Sequence, residues 1–312
     1  MFLGLVYVLG PRARVSGSWE EPVPPSDVVA HVRRLEAAVP AVRPGDQEEI
    51  VWAAGSEGSP TPVSLVYLHG FSADRHEVEP LITLIARDLG ANVYFARLKG
   101  HGRDGEAMGQ ARAEDWLEDA LEAVAIGGRI GGRVVLIGTS TGGTLATWAA
   151  TRPEVKPRLG ALLLVSPNFR VKDRSSRVLL WPWGGLIARA ILGPERCFEA
   201  ENLEQERHWT TCYPTSALLP MMALVEHVRT SDLGGIETPV FLAYSPEDQV
   251  VDPSETERLF PTFGSSSKVL HVVRDVGDPA SHVLAGDILS PATTDGLALE
   301  MLGFLSGLGL TR

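Results

Sequence analysis

Residues 134–150 read VVLIGTSTGGTLATWAA: strand-forming residues pass directly into helix formers, with a small hydroxyl at the junction. The junction, Gly138-Thr139-Ser140-Thr141-Gly142, has the form G-x-S-x-G. Between a strand and a helix this pattern makes a turn so tight that the central serine takes strained backbone angles. At the two glycine positions any larger side chain would meet the neighbouring strand and helix. The turn lifts Ser140 Oγ clear of the carboxyl edge of a sheet, where ligands bind in open α/β folds. The helix beginning at Thr141 directs its free N–H groups and positive dipole end at the same spot, an arrangement suited to an oxyanion.

The rest of the chain supplies such a sheet. From about Glu49, EEIVWAA and VSLVYLHG read as strands, EVEPLITLIARDLG as a helix closed by Gly90, NVYFARL as a strand and AEDWLEDALEAVAI as a helix. RVVLIGT, the helix from Thr141 to Thr151 and the strand ALLLVSP follow. The strands are continuous apolar runs, as expected when helices cover both faces of a parallel sheet. This βαβα order predicts an α/β fold with a mostly parallel, doubly wound sheet. The rhythm stops at Pro167 and resumes with PVFLAYS, a helix near PSETERLF, the strand SKVLHVVRDV and a closing helix from about Pro291 to Leu308. The intervening stretch shows helical periods rich in Leu, Ile, Trp and Met and no strand, which predicts a helical cap. The expected organisation is a leader over 1–48, a core over 49–166 and 238–312, and a cap over 167–237.

A serine hydroxyl needs a base at neutral pH, and the base needs an orienting acid. On a sheet of this kind the acid follows one later strand and the histidine a still later one. Four histidines come after Ser140. His208 and His227 lie on helix-like cap stretches and are expected at the surface, while His271 falls inside a strand. His282, in the loop GDPASHVLAGD after the last strand, is the expected base. For the acid, SPEDQVVDP places Asp248 just past a strand end, with Glu247 as the fallback. Asp252 precedes a proline and is better suited to capping the next helix. A second oxyanion donor is expected from the loop after an early strand, His69-Gly70-Phe71, where the N–H of Phe71 can join that of Thr141. His69 is then structural.

Together, HGF at 69–71, RLKGHGRD at 97–104, GTSTGG at 138–143, SPEDQVVDP at 245–253 and ASHVLAGD at 280–287 resemble the α/β-hydrolase superfamily, and within it the monoacylglycerol lipase and bacterial carboxylesterase branch. The resemblance runs from about Glu49 to the C-terminus. It implies a capped serine hydrolase acting on carboxylic esters, with Ser140, Asp248 and His282 catalytic, the N–H groups of Phe71 and Thr141 as oxyanion hole, Gly100-His101-Gly102 structural, and no metal or organic cofactor. The sequence departs from the pattern in carrying threonine on both sides of Ser140, where many members have a histidine or a bulkier apolar residue. Its cap matches no sequence we can place. Acyl transfer, haloperoxidation and peptide hydrolysis use the same triad and stay open, as does a non-catalytic binding role. Epoxide hydrolysis and dehalogenation need a carboxylate where Ser140 stands. The apolar cap suggests an apolar acyl or alcohol group, although the same residues also serve to bury the cap.

Composition sets outer bounds. The 312 residues carry 28 Lys+Arg against 39 Asp+Glu, a net charge of −11, without a basic, aromatic-interleaved run; this argues against a nucleic-acid partner. The two cysteines, Cys197 and Cys212, lack metal-ligand spacing and are expected as buried thiols, with a single bridge left open for an exported protein. The N-terminal MFLGLVYVLG is apolar but far short of the roughly 20 residues of a spanning helix. It reads either as the end of a membrane anchor, giving membrane association, or as an arm packed on the domain.

Overall fold

The computed structural model describes residues 9–20, 22, 23 and 26–311. The proposed anchor segment, Met1–Gly10, therefore lies outside the described residues except for Leu9 and Gly10. Among the described residues no helix is long and apolar enough to cross a membrane.

In chain order the elements are α1 (Val28–Ala37), β1 (Glu49–Val51), β2 (Thr61–Leu68), α2 (Glu79–Leu89), β3 (Asn92–Phe95), α3 (Gly105–Gln110), α4 (Ala113–Ile130), β4 (Gly131–Thr139), α5 (Thr141–Thr151) and β5 (Leu159–Val165). They continue with α6 (Gly184–Leu192), β6 (Glu195–Cys197), α7 (Leu203–His208), β7 (Cys212–Pro214), α8 (Leu218–Arg229), β8 (Val240–Tyr244), α9 (Pro253–Leu259), β9 (Lys268–Val272) and α10 (Pro291–Gly307). Seven strands form one sheet in the order β1-β3-β2-β4-β5-β8-β9. All its pairs are parallel except β1–β3, the antiparallel edge. This is the mostly parallel α/β sheet expected from the apolar runs.

The two-residue period of those runs is visible in the core. Val66, Leu68, Leu136, Leu162, Leu164 and Leu242 point to one face and pack with Trp116, Leu121 and Leu145 of α4 and α5. Their neighbours Leu65, Tyr67, Ile137, Leu163, Val165 and Phe241 point to the other, against Leu81, Ile82, Leu297 and Met301 of α2 and α10. Both faces are dry, so neither register nor direction can slip without placing a whole apolar row on the wrong side. The chain leaves β2 toward β3 on one side and returns to β4 on the other. The carboxyl ends of β2 and β4 therefore flank the topological switch point, the usual crevice for ligands in such sheets.

Three expectations need correction. The 167–237 stretch is not strand-free, because β6 and β7 pair antiparallel with Cys197 opposite Cys212. That register brings the two Cα atoms to 4.2 Å, and the cysteines are joined in a disulfide rather than buried as thiols. Three-residue strands carry no legible alternation, which is why the sequence hides them. The leader, rich in proline and charge from Trp19 to Gly45 and expected from that to lie on the surface, also contributes to the core. Val28 and Val32 of α1 join the core, Trp19 packs edge-on against Trp148 at 5.7 Å, and Trp183 donates its N–H to the carbonyl of Pro11 at 2.9 Å.

Candidate active site

Ser140 sits between the last residue of β4 and the first of α5 with φ 52° and ψ −115°. Left-handed φ in a non-glycine residue costs on the order of 1–3 kcal/mol and persists only where the surroundings hold it. Here they do. The Ser140 N–H donates to the Val165 carbonyl at 2.9 Å, and its own carbonyl accepts from the N–H groups of Asn168 and Thr144 at 2.9 and 3.1 Å. A Cβ on Gly138 would run into the Gly142 carbonyl, and one on Gly142 into that of Leu68, so both flanking positions require glycine. As the first residue of α5, Thr141 presents an N–H with no acceptor inside its own helix.

The loop after β2 reaches the serine from the other side of the switch point. A Cβ placed on Gly70 would lie 3.4 Å from Ser140 Cβ. Phe71 follows directly, its ring wedged against His101, Trp116 and Tyr213. Buried His69 donates from Nδ1 to the Gly70 carbonyl at 2.9 Å, while its Nε2 accepts from the Leu98 N–H at 3.1 Å. Burial pushes its pKa down to about 4, so it stays neutral in one tautomer and acts as a strut.

Asp248 and His282 come together after β8 and β9. Asp248 Oδ2 is 2.7 Å from His282 Nδ1, and Oδ1 accepts from the Val250 and Val251 N–H groups at 2.8 and 2.9 Å. The carboxylate is 1% exposed, His282 8% and Ser140 7%. Burial resists protonation of His282, but the Asp248 charge and hydrogen bond outweigh it, with Asp278 and Glu77 adding to the effect, and the imidazole titrates above its ordinary 6.5. The fallback Glu247 is a surface group 3.7 Å from Arg274. Asp252 caps α9 by accepting from the Ser254 N–H and pairs with Arg170 at 2.7 Å. His271 stacks on Phe241 at 5.5 Å, and His227 is partly buried near Trp19. His208, expected at the surface, is buried at 7% exposure between Asp46 and Asp74, because α7 folds its C-terminus inward against the core loop.

Two further acids shape the site. Asp278 accepts from the N–H groups of His282 and Val283 at 2.9 and 2.8 Å and so fixes the histidine loop. Fully buried Glu77 accepts from the Gly70 N–H at 2.5 Å and the Tyr67 hydroxyl at 2.6 Å, and that hydroxyl also reaches Thr139 at 3.1 Å. It thereby ties the β2 loop to the serine turn. Nothing in the surrounding charged stretch DRHEVE marks Glu77 as a buried acid, and Asp278 shows only as a turn-forming D-P.

Burial drives the Glu77 pKa from 4.5 up to about 7 against the pull of the Tyr67 and Gly70 hydrogen bonds. Between those two pH values the folded chain holds a proton that the unfolded chain has released, so this contribution to stability is lost as pH rises toward 7. Glu77→Gln removes the titration. Urea unfolding at pH 5 and pH 7.5 should show the variant gaining on the parent by roughly 2 kcal/mol over that interval. An unchanged difference between the two would mean that Glu77 does not titrate there.

The family model described as serine aminopeptidase, S33, matches residues 60–277. The chain belongs to this family. The match takes in the serine turn, the β2 loop and Asp248, and stops short of His282. A thermostable monoacylglycerol lipase from Bacillus sp. (strain H-257) is 25% identical over 214 residues, covering 69% of this chain and 82% of the relative. A structure from work on LipS and LipT, two metagenome-derived lipolytic enzymes, superposes with a TM-score of 0.67 at 21% identity, covering 85% of this chain and 99% of the other. A soluble variant of monoglyceride lipase from Saccharomyces cerevisiae, in complex with a substrate analogue, gives 0.62 at 14% identity, covering 88% and 98%. The chain is an enzyme with the α/β-hydrolase fold that this family shares.

Proposed function

We propose that the protein is a carboxylic ester hydrolase working through Ser140, His282 and Asp248. The observation that carries this reading is the 2.7 Å bond between Asp248 and His282, at the sheet edge where Ser140 is held in a strained turn. With Nδ1 engaged by Asp248, Nε2 is the nitrogen that takes the Ser140 proton as Oγ attacks the ester carbonyl. The N–H groups of Phe71 and Thr141 receive the oxyanion. His282 then returns the proton to the departing alcohol, and a water activated in the same way releases the acyl group from Ser140. No step calls for a metal or organic cofactor.

Two features favour esters with an apolar acyl part. The similar proteins are named as lipases, and the 167–237 segment, which we assign as the cap over the core of 49–166 and 238–312, leaves Trp181, Leu186, Ile191 and Leu192 exposed together around α6. The family description also names an aminopeptidase activity, so the test includes an amide substrate. A fluorophosphonate probe should form an adduct on Ser140. p-Nitrophenyl esters should be hydrolysed, short and medium chains faster than long ones, and aminoacyl p-nitroanilides should not. Adduct formation with turnover of the anilides alone would replace the esterase reading by a peptidase, and no adduct would leave a binding protein.

A further inference from the structure

A second cluster of chemically active side chains lies outside the site just described. Asp46 from the segment before β1, Asp74 and His76 from the loop after β2, and His208 from the end of α7 each direct a donor atom to one point, all within 4.8 Å of one another. We propose that these four residues form a binding site for one divalent transition ion of the zinc type, which fastens the cap to the loop that carries Phe71.

The spacing fits. Four nitrogen and oxygen ligands held tetrahedrally at zinc distances stand about 3.3–3.6 Å apart. His208 Nδ1 is 3.0 Å from Asp46 Oδ1 and 3.2 Å from Asp74 Oδ2, while His76 Nδ1 is 2.9 Å from Asp74 Oδ1 and 3.9 Å from Asp46 Oδ1. The donor set of two imidazoles and two carboxylates is one that zinc accepts and that calcium or magnesium, which prefer all-oxygen shells, does not.

The surroundings supply independent support. Metal-bound histidines usually have a carboxylate or carbonyl at their other ring nitrogen. Here His76 Nε2 faces Glu79 at 3.5 Å and His208 Nε2 faces Glu204 at 3.9 Å. Asp46 keeps Oδ1 toward the cluster because Oδ2 accepts from Arg43 Nε at 2.6 Å. The two rings stack with centroids 3.9 Å apart, so one ring must turn about its Cβ–Cγ bond for both to face one ion. Two neutral imidazoles, two carboxylates and one dication balance in charge. A cleft of about 1280 Å³ lined by His76, Glu79, Glu204 and His208 gives a path from solvent. Of the four proposed ligands His76 and His208 line that cleft, and neither Ser140 nor His282 does.

An ion here would join segments more than 130 residues apart. Asp74 is three residues past Phe71, and the N–H of Thr210, two past His208, already donates to the Ser72 carbonyl at 2.7 Å. The site is structural, and it stands whether or not Ser140 hydrolyses esters.

The test uses the full chain without a polyhistidine tag. It is stripped with a chelator, incubated with ZnCl₂, desalted and assayed for zinc by mass spectrometry, with thermal melts taken in zinc, calcium and magnesium. The expected result is about one zinc per chain and a Tm raised by zinc alone, as binding to the folded state requires. Glu79→Gln should weaken zinc binding by about 10- to 100-fold, as loss of an outer partner does, and His208→Gln or Asp74→Asn should abolish it. Should the buried variants not fold, His76→Gln at the partly exposed position reads the same loss. Desalted parent protein with no zinc and an unmoved Tm would overturn the proposal. So would equal zinc uptake by parent and His76→Gln, or an equal Tm rise with calcium.

Discussion

Ser140→Ala should lower kcat for a p-nitrophenyl ester by about 10⁴- to 10⁶-fold, the range seen when a nucleophile of this type is deleted. The substitution removes Oγ and nothing else the turn depends on. The bonds that hold the strained backbone run through the N–H and carbonyl of residue 140, to Val165, Asn168 and Thr144, and alanine keeps both. Tm should therefore match the parent, and the fluorophosphonate adduct should vanish together with turnover. A variant retaining a tenth of the parent activity would place the chemistry elsewhere.

Asp248→Asn should cost nearly as much, on the order of 10⁴-fold in kcat, for a different reason. The amide still offers an oxygen to the N–H groups of Val250 and Val251, so the loop keeps its shape. Its NH₂ then faces Nδ1 of His282 and selects the tautomer with the proton on Nε2, where a base must be bare. The pH profile separates this from simple misfolding. In the parent, kcat/KM should fall as pH drops through a midpoint above 6.5, because Asp248 holds the His282 pKa up. In the variant that midpoint should move down. An identical acid limb in both proteins would remove Asp248 from its assigned role.

The parts of the fold and candidate site that were legible in the sequence share one property: their signals are local. Two glycines around Ser140 mark a turn that backbone contact with Gly142 and Leu68 makes obligatory. The apolar runs of β2, β4, β5 and β8 announce a sheet covered on both faces, and the residues at its carboxyl edge follow from where each run ends. Asp248 and His282 stand out as candidates because the first lies in the loop after β8 and the second in the long loop after β9. Glu77, Asp278 and His208 do not. Each owes its environment to partners far along the chain, and one sequence shows an acid or a histidine in a polar stretch without saying what will fold over it. His208 shows this most clearly: its helical context suggested solvent, and only the docking of α7 on the loop holding Asp74 buries it. The cysteine pair failed for the same reason, since its partnership depends on a pairing between two strands of three residues each.

That pair has a practical consequence. Both cysteines of the chain lie between β5 and β8, both are exposed, and their bond closes a loop of 15 residues that contains α7 and His208. The seven-stranded sheet and the loops bearing Ser140, Asp248 and His282 hold no sulfur–sulfur bond. A mild reductant therefore breaks no covalent link in the sheet or in those loops: it frees only the stretch between β5 and β8, so reduction should lower the resistance of that stretch to proteolysis before it affects the sheet.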